Sequence, residues 1–251
     1  MWVDRSINLI LLKIRFLFAY LIFVVGTFTF SRLVLVPLMF FGTTVLTRRV
    51  VASKTVRFYL NILQFLGLFK ITTKGCPPSG RCIVIYNHPT MFDALIPIAQ
   101  IPNSCCVAKR QLTHSIVYGV GLRSLNFIVA QSAQEILEKG KHELHNGNPV
   151  VIFPEGTRGP LSKFHRSAAR LALEANVPVV AGLIVCRPLI LGRTSKWYQT
   201  PDRLIEIDIE YFQPVWSMEK GQALGKLSRT LTAELEDMFA SKLNELNMEA
   251  R

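Results

Sequence analysis

Val84-Ile85-Tyr86-Asn87-His88-Pro89-Thr90-Met91-Phe92-Asp93 opens on apolar residues, crosses a polar break and returns to apolar sequence. With Cys82 and Ile83 ahead of it, the run 82–86 has the length and β-branched content of a strand buried on both faces. Asn87 is a favoured helix N-cap residue, and proline is tolerated in the first turn of a helix. The stretch reads as strand, turn and helix start, with His88 at the carboxyl end of the strand. Ligand sites in open α/β sheets form outside those strand ends.

The same texture recurs downstream. Short apolar runs at 105–108, 126–130, 150–153 and 179–185 read as further buried strands. Between them, 131–145 and 166–176 carry apolar residues at helical spacing (Ile136, Leu137, Leu144; Ala169, Leu171, Ala172). Strands alternating with helices predict an α/β fold with a mostly parallel central sheet flanked by helices. In 204–212, Ile205, Ile207, Ile209 and Tyr211 alternate with Glu206, Asp208 and Glu210. That period of two predicts a half-exposed strand near a sheet edge, with the acids on its solvated face. A terminal amphipathic helix is expected from about Ser217, with Leu224, Leu227, Leu231, Leu235 and Met238 on one stripe.

The turn cluster at 74–80 marks a boundary between an N-terminal segment, 1–70, and an α/β domain, 71–251. The first sixty residues hold eight Lys/Arg against one acid, Asp4, while the rest of the chain holds 21 against 16. Residues 16–31 and 33–47 are uncharged and apolar, separated by Arg32. As a helix each would span roughly 22–24 Å, short of a hydrocarbon core about 30 Å thick. Three arrangements follow from this: a helical hairpin dipping into one leaflet or lying in the interface, a single tilted span, or a pair of core helices. Lys13 and Arg15 before the runs, with Arg48 and Arg49 after them, favour the hairpin with both ends on one anionic side, the cytoplasmic face.

Composition bounds the function. The 251 residues are 50% hydrophobic and 18% charged with net charge +12, and mean hydropathy is +0.30 with pI near 9.8. Disordered chains are poorer in apolar residues. Nucleic-acid binding is excluded because the basic residues lie among membrane-like apolar runs and not on a polar face with stacking aromatics. An anionic bilayer offers partners for both the charge and the apolar surface. The five cysteines are odd in number and form no C-x-x-C pair, so they predict neither a disulfide framework nor a thiolate zinc site.

The chemistry centres on His88 and Asp93. Within a regular helix five residues turn about 140°, so these side chains would not stack. With His88 in the turn and Asp93 just inside the helix, the imidazole folds back on the carboxylate. The carboxylate fixes the tautomer and leaves the other ring nitrogen as a base. No Gly-x-Ser-x-Gly elbow or cysteine accompanies the pair, so it suits direct deprotonation of a substrate hydroxyl. The structural alternative is a histidine satisfied by a helix-start hydrogen bond. A second segment, Phe153-Pro154-Glu155-Gly156-Thr157-Arg158-Gly159-Pro160, also follows a strand. Gly156 permits close approach of the main chain to a ligand, Thr157 offers a hydroxyl, and Arg158 matches phosphate oxygens. Glu155 is placed to orient Arg158 or to bind substrate hydroxyls; taken alone the segment is equally a turn with a charge pair.

Asn-His-x-x-x-x-Asp followed some sixty residues later by Phe-Pro-Glu-Gly-Thr-Arg resembles the lysophospholipid and glycerolipid acyltransferase superfamily, the 1-acylglycerol-3-phosphate acyltransferases among them. Ala108-Lys109-Arg110-Gln111-Leu112 and Val177-Pro178-Val179-Val180 resemble two further family segments, so the likeness runs over about 70–190. It implies transfer of a fatty acyl group from an acyl-thioester, acyl-CoA or acyl-carrier protein, to a lipid hydroxyl at an anionic membrane. His88 would be the general base and Asp93 its orienting partner. Asn87, Lys109, Glu155, Gly156, Thr157 and Arg158 would bind substrate, with no metal and no acyl-enzyme. Phe127-Ile128-Val129-Ala130 replaces a family block that often reads Phe-Ile-Asp-Arg, and Pro89-Thr90 replaces the common Gln-Ser or Arg-Ser. These departures point to an acceptor other than lysophosphatidic acid, such as another lysolipid or a specialised lipid. A non-catalytic lipid-binding module and a hydrolase on the same fold are the rival readings. His142 and His145 read as a solvated helix face, and His114 and His165 as single residues without a named partner, with substrate contact the alternative for His165, which follows the glycine loop. Of Trp2, Trp197 and Trp216, only Trp197, beside Lys196 and Tyr198, has the setting of an interfacial anchor.

Overall fold

The computed structural model describes residues 2–212 and 224–249. Seven strands form one sheet: β1 (Phe69–Lys74), β2 (Ile83–Tyr86), β3 (Cys105–Lys109), β4 (Ile128–Ala130), β5 (Val150–Ile152), β6 (Val179–Arg187) and β7 (Ile205–Tyr211). Their spatial order is β1-β7-β6-β2-β5-β3-β4, parallel throughout except for the antiparallel β6–β7 pair. The mostly parallel α/β architecture expected from the alternating texture is the one found. β7 lies second from an edge and buries alternate residues, as its period of two requires.

The eight α-helices described are α1 (Trp2–Phe30), α2 (Val36–Phe40), α3 (Val45–Phe65), α4 (Leu95–Gln100), α5 (Gly119–Ser124), α6 (Ala133–His145), α7 (Ser167–Ala175) and α8 (Leu224–Glu249). One face of the sheet packs on α6, α7 and α8, with Leu144, Leu171 and Leu235 in a core with Ile83, Ile85 and Val150. The other face is covered by the N-terminal helices: Phe16, Ala19, Phe23, Leu60 and Leu63 share a core with Val84, Tyr86 and Val151. The first seventy residues are therefore a structural layer of the same fold, and the boundary at 74–80 divides the chain without dividing its core. Four cysteines, Cys82, Cys105, Cys106 and Cys186, are buried, and Cys76 is exposed. Ser217, the expected start of the terminal helix, lies outside the described residues; α8 carries the predicted apolar stripe from Leu224 onward.

The sheet's first strand was not legible beforehand. Phe-Lys-Ile-Thr-Thr-Lys buries only its first residue fully, so β1 shows no apolar run. It exists because β7 offers it a parallel partner, from Phe69 on Ile205 to Lys74 on Glu210.

The two apolar runs are not the two arms of a hairpin. They join in one apolar helix, Asn8–Phe40, of 33 residues, about 50 Å long. α1 passes into α2 through a π-helical turn, Ser31–Leu35. Pro37 is the physical cause: it lacks an N–H for the carbonyl four residues back and its ring crowds that turn, and a widened turn relieves both. The chain reverses only at 41–44, through Gly42 at φ +71, and α3 runs back along α1. There Tyr59 Oη donates to Ala19 O at 3.0 Å.

Arg48 and Arg49, expected at a lipid surface, are buried instead. Arg48 donates to Ser124 O (2.7 Å) and to Thr43 O. Arg49 donates to Leu125 O (2.9 Å) and Asn126 O (3.1 Å) and pairs with Glu143 at 2.9 Å. They answer main-chain carbonyls of the turn after α5, where Asn126 adopts φ +51, and so fasten α3 to the sheet domain. Arg32 likewise donates to Ile116 O at 2.8 Å, tying α1 to the loop before α5.

Breaking a buried pair leaves an uncompensated charge. Glu143→Ala is therefore expected to destabilise the protein by about 3 kcal/mol or more, read from denaturant midpoints in detergent solution. A loss under about 1 kcal/mol, the range of an exposed pair, would show that this ion pair does not hold α3 in place.

Candidate active site

β2 and β5 pair in parallel, Ile83 on Val150 through Ile85 on Ile152. Adjacent parallel strands deliver their following loops to one edge, so 87–91 and 153–160 emerge side by side. Gly159 N donates to His88 O at 2.9 Å and stitches the loops together. The Phe153 ring lies against the His88 imidazole, centroids 4.5 Å apart. Tyr86 packs beneath Phe153 at 5.9 Å, and its hydroxyl shares a 2.7 Å hydrogen bond with Tyr211.

His88 Nδ1 stands 3.1 Å from Asp93 Oδ2. Asp93 is buried and doubly held by Thr90, whose amide donates to Oδ2 at 2.5 Å and whose hydroxyl donates to Oδ1 at 2.7 Å. Burial raises the Asp93 carboxyl above its ordinary value, against the opposing pull of His88 and Thr90. In the tautomer whose Nδ1–H donates to Asp93, Nε2 is the nitrogen that can act as a base. The His88 side chain is 18% exposed, against 1% for Asp93, so the imidazole is reachable and its partner is not.

Thr90 is the residue that sequence reasoning undervalued. Its spacing of three from Asp93 is that of a capping box, in which a side chain reaches back to the cap amide. The regular helix starts later than expected, with a 3₁₀ turn at Phe92–Ala94 before α4.

Asn87 does not cap that helix. β2 ends at Tyr86 while β6 continues, which would leave the Ile184 amide and carbonyl without partners. Asn87 supplies both, donating to Ile184 O and accepting from Ile184 N at 2.7 Å each. Its carboxamide is thus buried and committed to the sheet, not turned to a ligand. Lys109 is two strands from His88 but next to the strand that delivers the 153–160 loop. It ends β3 with an exposed side chain, and β5 stands between it and β2, roughly 10 Å across the sheet at strand spacing.

The second loop supplies the remaining groups. Gly156 sits at φ +66, a conformation that favours glycine, and a Cβ there would press to 3.2 Å of the exposed His165 ring. Thr157 and Arg158 are half-buried. Arg158 Nη1 donates to Leu191 O at 3.2 Å, and its charge reaches the Tyr118 hydroxyl. Glu155 does not orient Arg158: it is 4% exposed, and both its carboxylate oxygens lack a hydrogen-bond partner. Burial, with the Asp93 charge adding, pushes its carboxyl up to about 7, although the His88 amide dipole favours the ionised form. A buried carboxyl with no hydrogen-bonding side chain, beside His88, can take a donor from a ligand.

A family model described as "Acyltransferase" matches residues 69–185. The human 1-acyl-sn-glycerol-3-phosphate acyltransferase alpha is 28% identical over 169 residues, covering 62% of this chain and 57% of that protein. The 1-acyl-sn-glycerol-3-phosphate acyltransferase of Helicobacter pylori (strain J99) is 32% identical over 166 residues, covering 61% of this chain and 70% of that protein. The chain belongs to the 1-acylglycerol-3-phosphate acyltransferase-like superfamily. It spans little more than half the length of the human relative. The crystal structure of the 1-acyl-sn-glycerophosphate (LPA) acyltransferase PlsC from Thermotoga maritima superposes with TM-score 0.66 at 21% identity, covering 96% of this chain and 98% of that one. The likeness of fold to that structure therefore extends over the N-terminal helices, which lie outside the family-model match.

A carboxyl raised on folding lowers stability progressively as pH climbs from its unfolded value, 4.5, to its folded value, about 7, and by a constant amount above that. Glu155→Gln cannot ionise. Its stability relative to the parent is expected to rise by up to about 3 kcal/mol between pH 5 and pH 8, measured by denaturant unfolding at both. A difference that stays constant across that range would mean the Glu155 carboxyl is not raised.

Proposed function

We propose that this chain transfers a fatty acyl group from an acyl-thioester, acyl-CoA or acyl-carrier protein, to the hydroxyl of a lysophospholipid; the names of its relatives favour 1-acyl-sn-glycerol-3-phosphate over the different acceptor suggested by the departures at 89–90 and 127–130. The observation that carries the reading is the His88–Asp93 contact, locked by Thr90 and set against the Glu155–Arg158 loop. His88 Nε2 takes the proton of the acceptor hydroxyl as its oxygen attacks the thioester carbonyl. The tetrahedral intermediate collapses, the C–S bond breaks, and the imidazolium returns the proton to the leaving thiolate. Asp93 keeps the ring in place and stabilises its charged form. Arg158 is assigned to the acceptor's phosphate, Gly156 and Thr157 to close main-chain and hydroxyl contact, and the orphaned Glu155 to a hydroxyl of the bound lipid. A binding module would gain nothing from a base held in its reactive tautomer.

His88→Ala is expected to cut acyl transfer by about 10²–10⁴-fold with unchanged binding to vesicles, using labelled donors of both classes and mass identification of the product. Full turnover in that variant removes His88 as the base.

The membrane seat is read from α1. Phe16, Ala19 and Phe23 face the core, while Phe18, Leu21, Ile22 and Val25 are exposed on the opposite stripe. A stripe this apolar belongs in a bilayer, seating the protein on the cytoplasmic leaflet with the site near the lipid it modifies. Phe18→Asp combined with Leu21→Asp, which spares the buried stripe, is expected to release the protein into the soluble fraction with an unchanged far-ultraviolet circular dichroism spectrum. Retention of that variant on vesicles would place the membrane contact elsewhere.

A further inference from the structure

The 188–204 segment joining β6 to β7 is built inside out on one side. Ile190 and Leu191 are buried in the core, yet Leu189, Trp197 and Tyr198 are 58%, 59% and 52% exposed. Exposed basic residues, Arg193, Lys196 and Arg203, accompany one exposed acid, Asp202. Lys196 Nζ lies 5.6 Å from the Tyr198 ring centroid. Tryptophan and tyrosine rings partition to the headgroup level of a bilayer, and neighbouring lysine and arginine favour anionic lipid.

This surface adjoins α1 at the margin of its core-facing side, where Tyr20 is half-buried. The Trp197 ring stacks on Tyr20 with centroids 6.2 Å apart and planes 17° from parallel. Tyr20 follows Lys13 by seven residues and Arg15 by five, roughly 8–10 Å along the helix. The loop therefore meets α1 where the helix passes from its basic end into the uncharged run 16–31. A ring pair with a polar edge and an apolar body suits that boundary.

We propose that the 188–204 loop is a second bilayer contact, with Trp197 and Tyr198 at headgroup depth and Arg193 and Lys196 on the phosphates of anionic phospholipids. The proposal rests on the reading of α1 as seated in the bilayer. It also brings the lipid surface within one loop of the site, since Leu191 O accepts the Arg158 hydrogen bond.

The full chain carrying Trp2→Phe and Trp216→Phe keeps Trp197 as its one tryptophan. It is mixed with vesicles of equal parts phosphatidylcholine and phosphatidylglycerol, brominated at shallow or at deep acyl carbons. Trp197 emission should shift to the blue and be quenched more by the shallow bromines. Protein that sediments with the vesicles while Trp197 stays unquenched would overturn the loop contact and leave the seat of α1 standing. Protein that fails to sediment would overturn both. Arg193→Gln with Lys196→Gln should weaken binding to the mixed vesicles about 30-fold, roughly fivefold per charge, with binding to pure phosphatidylcholine unchanged. Equal weakening on both vesicle types would indicate a folding defect or an apolar effect and count against the headgroup assignment.

Discussion

The parallel pairing of β2 with β5 is the constraint on which the site depends. Each strand is buried on both faces, so neither can turn back on itself. Both must surrender the chain at the same sheet edge. That common exit sets Phe153 against His88 and lets Gly159 bond the His88 carbonyl. If β5 were displaced by one strand position, the Glu155–Arg158 loop would lie about 5 Å further away and the two segments would no longer meet.

Around that junction, burial divides the work among the carboxyl groups. Asp93 is buried but saturated with donors, which suits a group that holds an imidazole and stabilises its cation. Glu155 is buried without a hydrogen-bonding side chain, which leaves its oxygens available to a donor. Two carboxyls of nearly equal burial are thus suited to different roles by hydrogen bonding alone.

The N-terminal helix serves both solvents at once. Its inner stripe fills the core against β2, and Arg32, Arg48 and Arg49 tie the flanking elements to carbonyls of the sheet domain. Its outer stripe stays apolar and uncovered. A charge count alone treats these arginines as lipid-facing. In the folded chain three main-chain segments need donors there, and a guanidinium with several N–H groups satisfies them where a lysine would not.

Local pattern carried much of this molecule. Buried strands show themselves as apolar runs, β7 by its alternation, and His88, Asp93 and the 153–160 turn by residue type beside a strand end. Those features depend on neighbours in the chain, and the amino-acid order states them directly. The rest required partners distant in sequence. β1 is a strand only because β7 lies beside it, and Asn87 is a clamp only because β6 outruns β2. Lys109 is two strands from His88 only because β5 intervenes. Arg49 is buried because Glu143 and two carbonyls await it 76 to 94 residues away. Hydrogen-bond supply and demand across the sheet settled these positions, and no window of local sequence records who will stand opposite.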